Sequence, residues 1–387
     1  MVDLKKEIKL SDLLPKRRRR AVSALQTSKP RGRRGKRELV GLKVGSSQLA
    51  AARVVNNGSA NLVQLARSPL ESGIVVGGEV RDVAGLAGAL DRFFSEYGLP
   101  RRGVRLGIAT NRIGVRAFDI DGIDDPKQLA NAIRFRAHEA VSIPIDQAVL
   151  DYHIVSETFD EEGAITRKIL LAAAYRESVD RFIEACRAAK IELYGIDLEA
   201  FALLRAVAPV LPQAADQAPS AVVAVSLGHD RSTLAISDGA VCDFARVLEW
   251  GGAKLEEAIA FDLRLTQDEA SQLKLAATLE QVAEGEPEPE QAKVVREAIE
   301  RELQKLAREL IASLQFYQSQ PGSLAISEIL LSGGTSRLPG LPEELGRLTR
   351  VPVRRADPLA HVRLTKGVDA AEDLASLAVA IGLGVEL

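Results

Sequence analysis

The 387-residue sequence predicts an α/β protein made of two similar halves that face each other across a cleft. Three observations predict it. A strand, a tight glycine turn and a returning strand open at Leu39, and the pattern recurs with Gly228 standing where Gly45 stood, 183 residues later (228 − 45). Each copy is followed by a stretch in which extended and helical periodicities alternate. Three apolar runs end in glycine turns, at Gly45-Ser46-Ser47, Gly228-His229-Asp230-Arg231 and Gly333-Gly334-Thr335.

The length exceeds what one hydrophobic core usually organises, in keeping with a duplication. A hydrophobic fraction of 46% with 27% charged residues is that of a globular protein rather than a disordered chain. The longest apolar runs, near Ile169–Ala174 and Leu377–Val385, fall short of the roughly 18 residues that span a bilayer. Lysine and arginine interrupt the N-terminus, so no signal core is present. Cys186 and Cys242 stand far apart, with neither disulfide-framework nor zinc-knuckle spacing. Together these features predict a cytoplasmic protein.

The net charge of −2 conceals an asymmetry. Residues 1–37 carry 14 Lys/Arg and 3 Asp/Glu, a net of +11; the remainder carries 37 and 50, a net of −13. The run 16–37 contains proline and glycine and has no apolar period, so residues 1–37 read as a disordered basic arm on an acidic body. Without interleaved aromatics the arm does not suggest single-stranded nucleic acid as a ligand.

Order is expected from Glu38. The first half, 38–208, opens with strands around Leu39–Val44 and Leu49–Val55. A helix over Asp82–Tyr97 and a strand over Val104–Ala109 follow. Asp124-Asp125-Pro126 signals the start of a helix running to Val141. Then come a buried strand (Ile169–Ala174) and helices over Glu177–Ala189 and Leu198–Val207, with an inserted subdomain expected at about 115–190. Prolines 209, 212 and 219 punctuate the join to the second half, 209–387. That half opens with the hairpin Ala221–Ile236 and a helix over Ala253–Leu263. An acidic loop over Glu280–Gln291 and a long amphipathic helix through Ile299, Leu303, Leu306, Leu310, Leu314 and Tyr317 come next. A strand over Ile326–Leu331 and a helix over 374–383 close the chain.

The glycine turns are the main candidate site, because such turns expose backbone N–H groups that cradle phosphate without a dedicated side chain. No P-loop, dinucleotide fingerprint or nucleophile elbow occurs. The four histidines, 138, 153, 229 and 361, lack metal-ligand spacing.

These residues resemble the actin, Hsp70 and FtsA superfamily, and within it the PilM family, from about residue 38 to the C-terminus. VGLKVGSSQLAAARV is similar to its first phosphate turn, and AIRFRAHEAVSIPIDQAVLDY to its inserted-subdomain segment. DLEAFALLRA and SLQFYQSQPG resemble further hallmarks, and ISEILLSGGTSRLPGLPEEL resembles the adenosine turn. The resemblance implies a duplicated actin-like (ribonuclease H-like) ATPase fold with ATP or ADP in the cleft. It implies backbone or side-chain contacts from Gly45, Ser46, Ser47, Gly228, His229, Asp230, Arg231, Gly333, Gly334 and Thr335, with Lys274 near the ribose. It further implies a scaffold at the inner face of the cytoplasmic membrane, peripheral to it. There the scaffold binds the cytoplasmic tail of a bitopic PilN-like partner and helps connect the pilus motor ATPase, with no role for nucleic acid.

The sequence departs from that pattern at the phosphates. Lys43 and Ser226 stand where the family has aspartates, and Ser271 where a glutamate is common. The first two substitutions leave magnesium without its usual carboxylates and predict no measurable hydrolysis; Lys43 either offsets phosphate charge in a cleft that still binds nucleotide or extends to solvent beside an empty one. An active ATPase or sugar kinase, an FtsA-like filament protein and the cytoplasmic part of a type II secretion protein remain the alternatives on this fold. Finally, Ile8–Pro15 (IKLSDLLP) is similar to the partner tail such scaffolds bind, so this chain's own N-terminal segment is a further candidate ligand, its basic flank suiting an acidic groove.

Overall fold

A computed structural model describes residues 37–386, other than 142, 160–162, 209–218, 240, 281–288, 366, 367 and 369–373. Ile8–Pro15 and all of the basic arm before Arg37 lie outside the described residues.

The first half begins with an antiparallel hairpin, β1 (Arg37–Val44) and β2 (Gln48–Asn56), to which β3 (Ala60–Pro69) adds. A small ribbon, β4 (Val75–Val76) and β5 (Glu79–Val80), leads to α1 (Val83–Glu96). The Asp82 carboxylate caps α1 by accepting from Gly85 N at 2.9 Å, satisfying one of the orphan donors of its first turn. Strand β6 (Arg102–Ile108) lies parallel to β1. The chain then leaves the sheet for an inserted unit of β7 (Ile113–Asp121), α2 (Pro126–Ala140), β8 (Ala148–Phe159) and β9 (Ile165–Tyr175). Its three strands order as β7-β9-β8, all antiparallel, and α2 starts on the predicted Asp125-Pro126 cap. The chain returns through α3 (Arg176–Ala188), β10 (Glu192–Leu198) and α4 (Glu199–Val207).

The second half contains β11 (Ser220–Leu227), β12 (Ser232–Ser237), β13 (Cys242–Leu248), α5 (Gly252–Leu263), α6 (Gln267–Ala276) and α7 (Glu290–Gln318). It continues with β14 (Ala325–Ser332), α8 (Leu341–Thr349), β15 (Val353–Arg355), β16 (Val362–Leu364) and α9 (Leu374–Gly384). All six residues that marked the long amphipathic helix are buried along α7.

The duplication is explicit in the sheets. The first orders β10-β6-β1-β2-β3, the second β15-β14-β11-β12-β13. In each, three consecutive strands run antiparallel and two later strands join the first in parallel. A sixth strand, β16, extends the first sheet by pairing parallel to β3.

Two boundaries move. The inserted unit ends at Tyr175, not near 190, because Val179, Phe182, Ala185 and Cys186 of α3 join the first-half core with α1. The chain end, assigned to the second half, belongs with the first. Ala380 and Ile381 of α9 pack on Ala50, Ala52 and Val54 of β2, while Ala378 and Leu383 meet Leu203 of α4 and Ala224 of β11. Small residues permit this: a Cβ on Gly382 would lie 1.8 Å from the Ala202 carbonyl oxygen. Helix α7 also begins at Glu290, so the last two residues of the loop drawn through Gln291 are helical.

Candidate functional site

The first two glycine turns share one hydrogen-bond pattern. Gly45 N donates to Gln48 O at 2.9 Å, and Gly228 N donates to Arg231 O at 3.1 Å. Equivalent residues therefore close equivalent hairpins, each between the first two strands of its sheet. Ser47 O accepts from Leu70 N, and the Ser46 hydroxyl is buried with no partner among the described atoms.

The second and third turns meet. Thr335 Oγ1 lies 3.4 Å from Gly228 O, and a Cβ on Gly333, at φ 87°, would strike Leu227 O at 2.3 Å. Gly334 has open space beside it instead. The N-terminus of α5 also closes on the second turn: Gly252 N donates to Gly228 O at 2.9 Å and Ala253 N to His229 O at 2.8 Å. The His229 ring is exposed.

Asp230 and Arg231 reach across to the first half. Asp230 Oδ2 accepts from Gly77 N at 3.1 Å, and the Arg231 guanidinium lies against Gly77 and Gly78. Its Nε and Nη1 are buried without acceptors, with Asp230 3.7 Å from Nε. Asn111 Nδ2 donates to Glu249 Oε1 at 2.6 Å, a further tie between the halves. Lys168 of β9 meets Asp243 of β13 at 3.5 Å. Burial, then neighbouring Asp238, pushes the Asp243 carboxyl above the usual range, against the pull of Lys168.

Both lysines singled out from the sequence are ion-paired. Lys43 Nζ lies 3.4 Å from Oε2 of Glu199, at the first position of α4, with side chains 16% and 7% exposed. Lys274 pairs with the buried carboxylate of Glu256, which Gln267 also contacts at 3.4 Å. A Cβ on Gly252 would lie 2.5 Å from Thr335 Oγ1 and 3.2 Å from Lys274 Nζ, so Gly228, Gly252, Lys274 and Thr335 converge. Ser226 and Ser332 are register partners on β11 and β14, both buried, and Ser332 Oγ has no partner among the described atoms. Lys43 keeps only 16% of its side chain exposed, and Glu199 balances its charge. Neither Glu199 nor Glu256 had been picked out from the sequence; the signal was a glutamate inside each of the apolar runs DLEAFALL and KLEEAIA.

Two cavities lie apart from these turns. One, of about 1430 Å³, runs between α5, α7 and β13 on one side and Thr110, Asn111 and Ile113 on the other. The second, of about 340 Å³, is a groove in the inserted unit between α2 and β8. Ile133, Ile145, Ala148, Leu150 and Leu171 line it, with Lys127, Arg134 and Arg176 at its rim and no carboxylate among its lining residues.

Twin sheets of one topology, each with a glycine hairpin between its first two strands, define the duplicated actin-like ATPase fold. Solved structures share it. The chain superposes on a PilM-PilN type IV pilus biogenesis complex with a TM-score of 0.73 at 24% identity, covering 90% of this chain and 98% of that one. MreB5 of Spiroplasma citri bound to ADP matches at a TM-score of 0.51 and 11% identity, over 89% and 94% of the chains. The cell division protein FtsA of Pseudomonas aeruginosa is 26% identical over 362 residues, covering 84% of each chain. The family model for type IV pilus assembly protein PilM matches residues 41–387, all but the first 40 residues. The chain belongs to the PilM family of type IV pilus assembly proteins. Among the described residues no helix is long and apolar enough to cross a membrane.

Proposed function

We propose that this chain is a non-hydrolysing scaffold at the inner face of the cytoplasmic membrane, which holds the cytoplasmic tail of a bitopic PilN-like partner and helps connect it to the pilus motor ATPase. Its cleft takes ATP or ADP at the three glycine turns without a catalytic magnesium. The observation that carries the reading is the Lys43–Glu199 pair. An ammonium stands where a metal-orienting carboxylate would be needed, and a monovalent point charge cannot organise a water in line with the terminal phosphate. Arg231, whose buried Nε and Nη1 lack hydrogen-bond acceptors, adds a positive charge at the second turn.

The groove along α2 is the place for the partner's tail. Its apolar floor suits leucine-type anchors, and a peptide containing a proline loses little entropy on docking. The sequence had suggested an acidic groove; the rim is basic instead, with Asp124 and Asp125 just beyond, at the start of α2. A fluorescein-labelled partner-tail peptide tests the assignment by anisotropy. Binding by the wild-type protein and at least tenfold weaker binding by Leu150→Glu supports it; equal affinity for both places the tail elsewhere.

A further inference from the structure

Lys274 of α6 and Glu256 of α5 form an ion pair with side chains 16% and 6% exposed. Apolar side chains of similar size would join two helices as well as a buried pair does, so packing alone does not account for the charges. The pair stands where the second and third turns meet. The Cβ position of Gly252 lies 3.2 Å from Lys274 Nζ, 2.5 Å from Thr335 Oγ1 and 3.6 Å from Gly228 O. Gly334, next to Thr335 in the chain, has open space beside it, so the third turn leaves room for a ligand.

Both partners keep hydrogen-bonding capacity. Glu256 accepts from Lys274 through Oε1 and from Gln267 Nε2, at 3.4 Å, through Oε2. A carboxylate offers about four lone-pair sites and an ammonium about three N–H donors, so these contacts saturate neither group. A carboxylate beside an ammonium matches a vicinal diol. One hydroxyl donates to the carboxylate while its neighbour accepts from the ammonium. An ionised phosphate matches poorly, because it has no proton to give Glu256 and its charge repels the carboxylate.

The carboxylate reaches α6 from a neighbouring helix. Gln267, Ser271 and Lys274 stand at i, i+4 and i+7 of α6 and share one face. Ser271, in the middle, brings no charge. Glu256 contacts the residues on either side of it, so α5 supplies to this face the carboxylate that α6 lacks. We propose that Glu256 and Lys274 hold the ribose diol of the nucleotide, and that Glu256 makes the cleft select ribonucleotides over analogues without that diol. The proposal rests on the nucleotide reading above and adds to it the residue that reads the sugar.

Isothermal titration calorimetry of the full chain with ATP and with 2′,3′-dideoxy-ATP tests this by binding alone. ATP should bind about tenfold or more tightly than the dideoxy analogue, which leaves charged buried groups without their hydroxyl partners. Glu256→Ala should weaken ATP by about fivefold or more and leave the dideoxy analogue within about twofold, because only the diol contact is removed. A pair that merely packs the two helices would weaken both nucleotides alike. Adding Ser271→Glu to Glu256→Ala returns a carboxylate to Lys274 from three residues away on α6, and should restore the preference for ATP. The double variant also carries the test if the single variant folds poorly. Equal affinity of the wild type for the two nucleotides overturns the proposal and leaves the nucleotide reading standing. So does equal weakening of both by Glu256→Ala, or a folded double variant without the preference. Binding of neither nucleotide by the wild type overturns the nucleotide reading and this proposal together.

Discussion

The Nζ of Lys43 lies 3.4 Å from Oε2 of Glu199, joining the end of the first strand to the start of the helix shared between the two halves. The pair is largely withdrawn from water, so each charge depends on the other. Removing one partner of such a pair is strongly destabilising, while replacing both by apolar side chains of similar size is close to neutral. Lys43→Ala should therefore lower the unfolding free energy by about 3 kcal/mol or more, read by urea denaturation. Lys43→Met combined with Glu199→Met should recover most of that loss. A single variant within about 0.5 kcal/mol of wild type would mean the pair is solvated and carries little.

Lys43→Asp reverses the logic by setting two carboxylates side by side. Two like charges at that spacing repel, and a divalent cation relieves them. In thermal unfolding, millimolar magnesium should raise the midpoint of this variant by several degrees and leave the wild type unmoved. An equal response in both proteins would show that magnesium acts elsewhere.

The third turn separates a packing role from the proposed nucleotide contact within one dipeptide. Gly333 has φ 87° and no room for a Cβ against Leu227, whereas Gly334 faces open space. Gly333→Val should cost at least about 2 kcal/mol by strain and overpacking. Gly334→Val should leave the unfolding midpoint within about 2 °C while abolishing binding of a fluorescent ATP analogue. Analogue binding that survives Gly334→Val would put the nucleotide away from this turn.

Much of this arrangement was legible in the sequence. The two hairpins, the three glycine turns, the Asp125-Pro126 start of α2 and the apolar stripe of α7 are local signals, each set by residues adjacent in sequence or on one helix face. What escaped notice depended on partners far along the chain. Strand β10 (ELYGIDL) lacks a β-branched run and is a strand because β6 pairs with it. Helix α9 looks like a core element of whichever half it falls in, and its packing on Ala50, Ala52 and Val54 of β2 shows which. The carboxylates opposite Lys43 and Lys274 lie 156 and 18 residues away (199 − 43; 274 − 256), and no spacing rule points to them.

The two cysteines give a check on packing. Burial pushes the Cys186 thiol up to about 12, and burial with neighbouring Asp243 pushes Cys242 higher still. Neither should form thiolate at neutral pH, so the native protein should be inert to a disulfide reagent such as DTNB over an hour. Two equivalents should react on unfolding in guanidinium. A rapid native-state equivalent would show that the core opens at Cys186 or Cys242.

ATP turnover by the purified full chain tests the central claim most directly, because a scaffold with an ammonium in its cleft and an enzyme on the same fold differ there first. With saturating ATP and millimolar magnesium, release of phosphate should not exceed that of a Gly334→Val control, while ATP-analogue binding is present in the wild type alone. Magnesium-dependent turnover at an ordinary enzymatic rate of ~1 per second or faster, lost in the Gly334→Val control, would contradict the account.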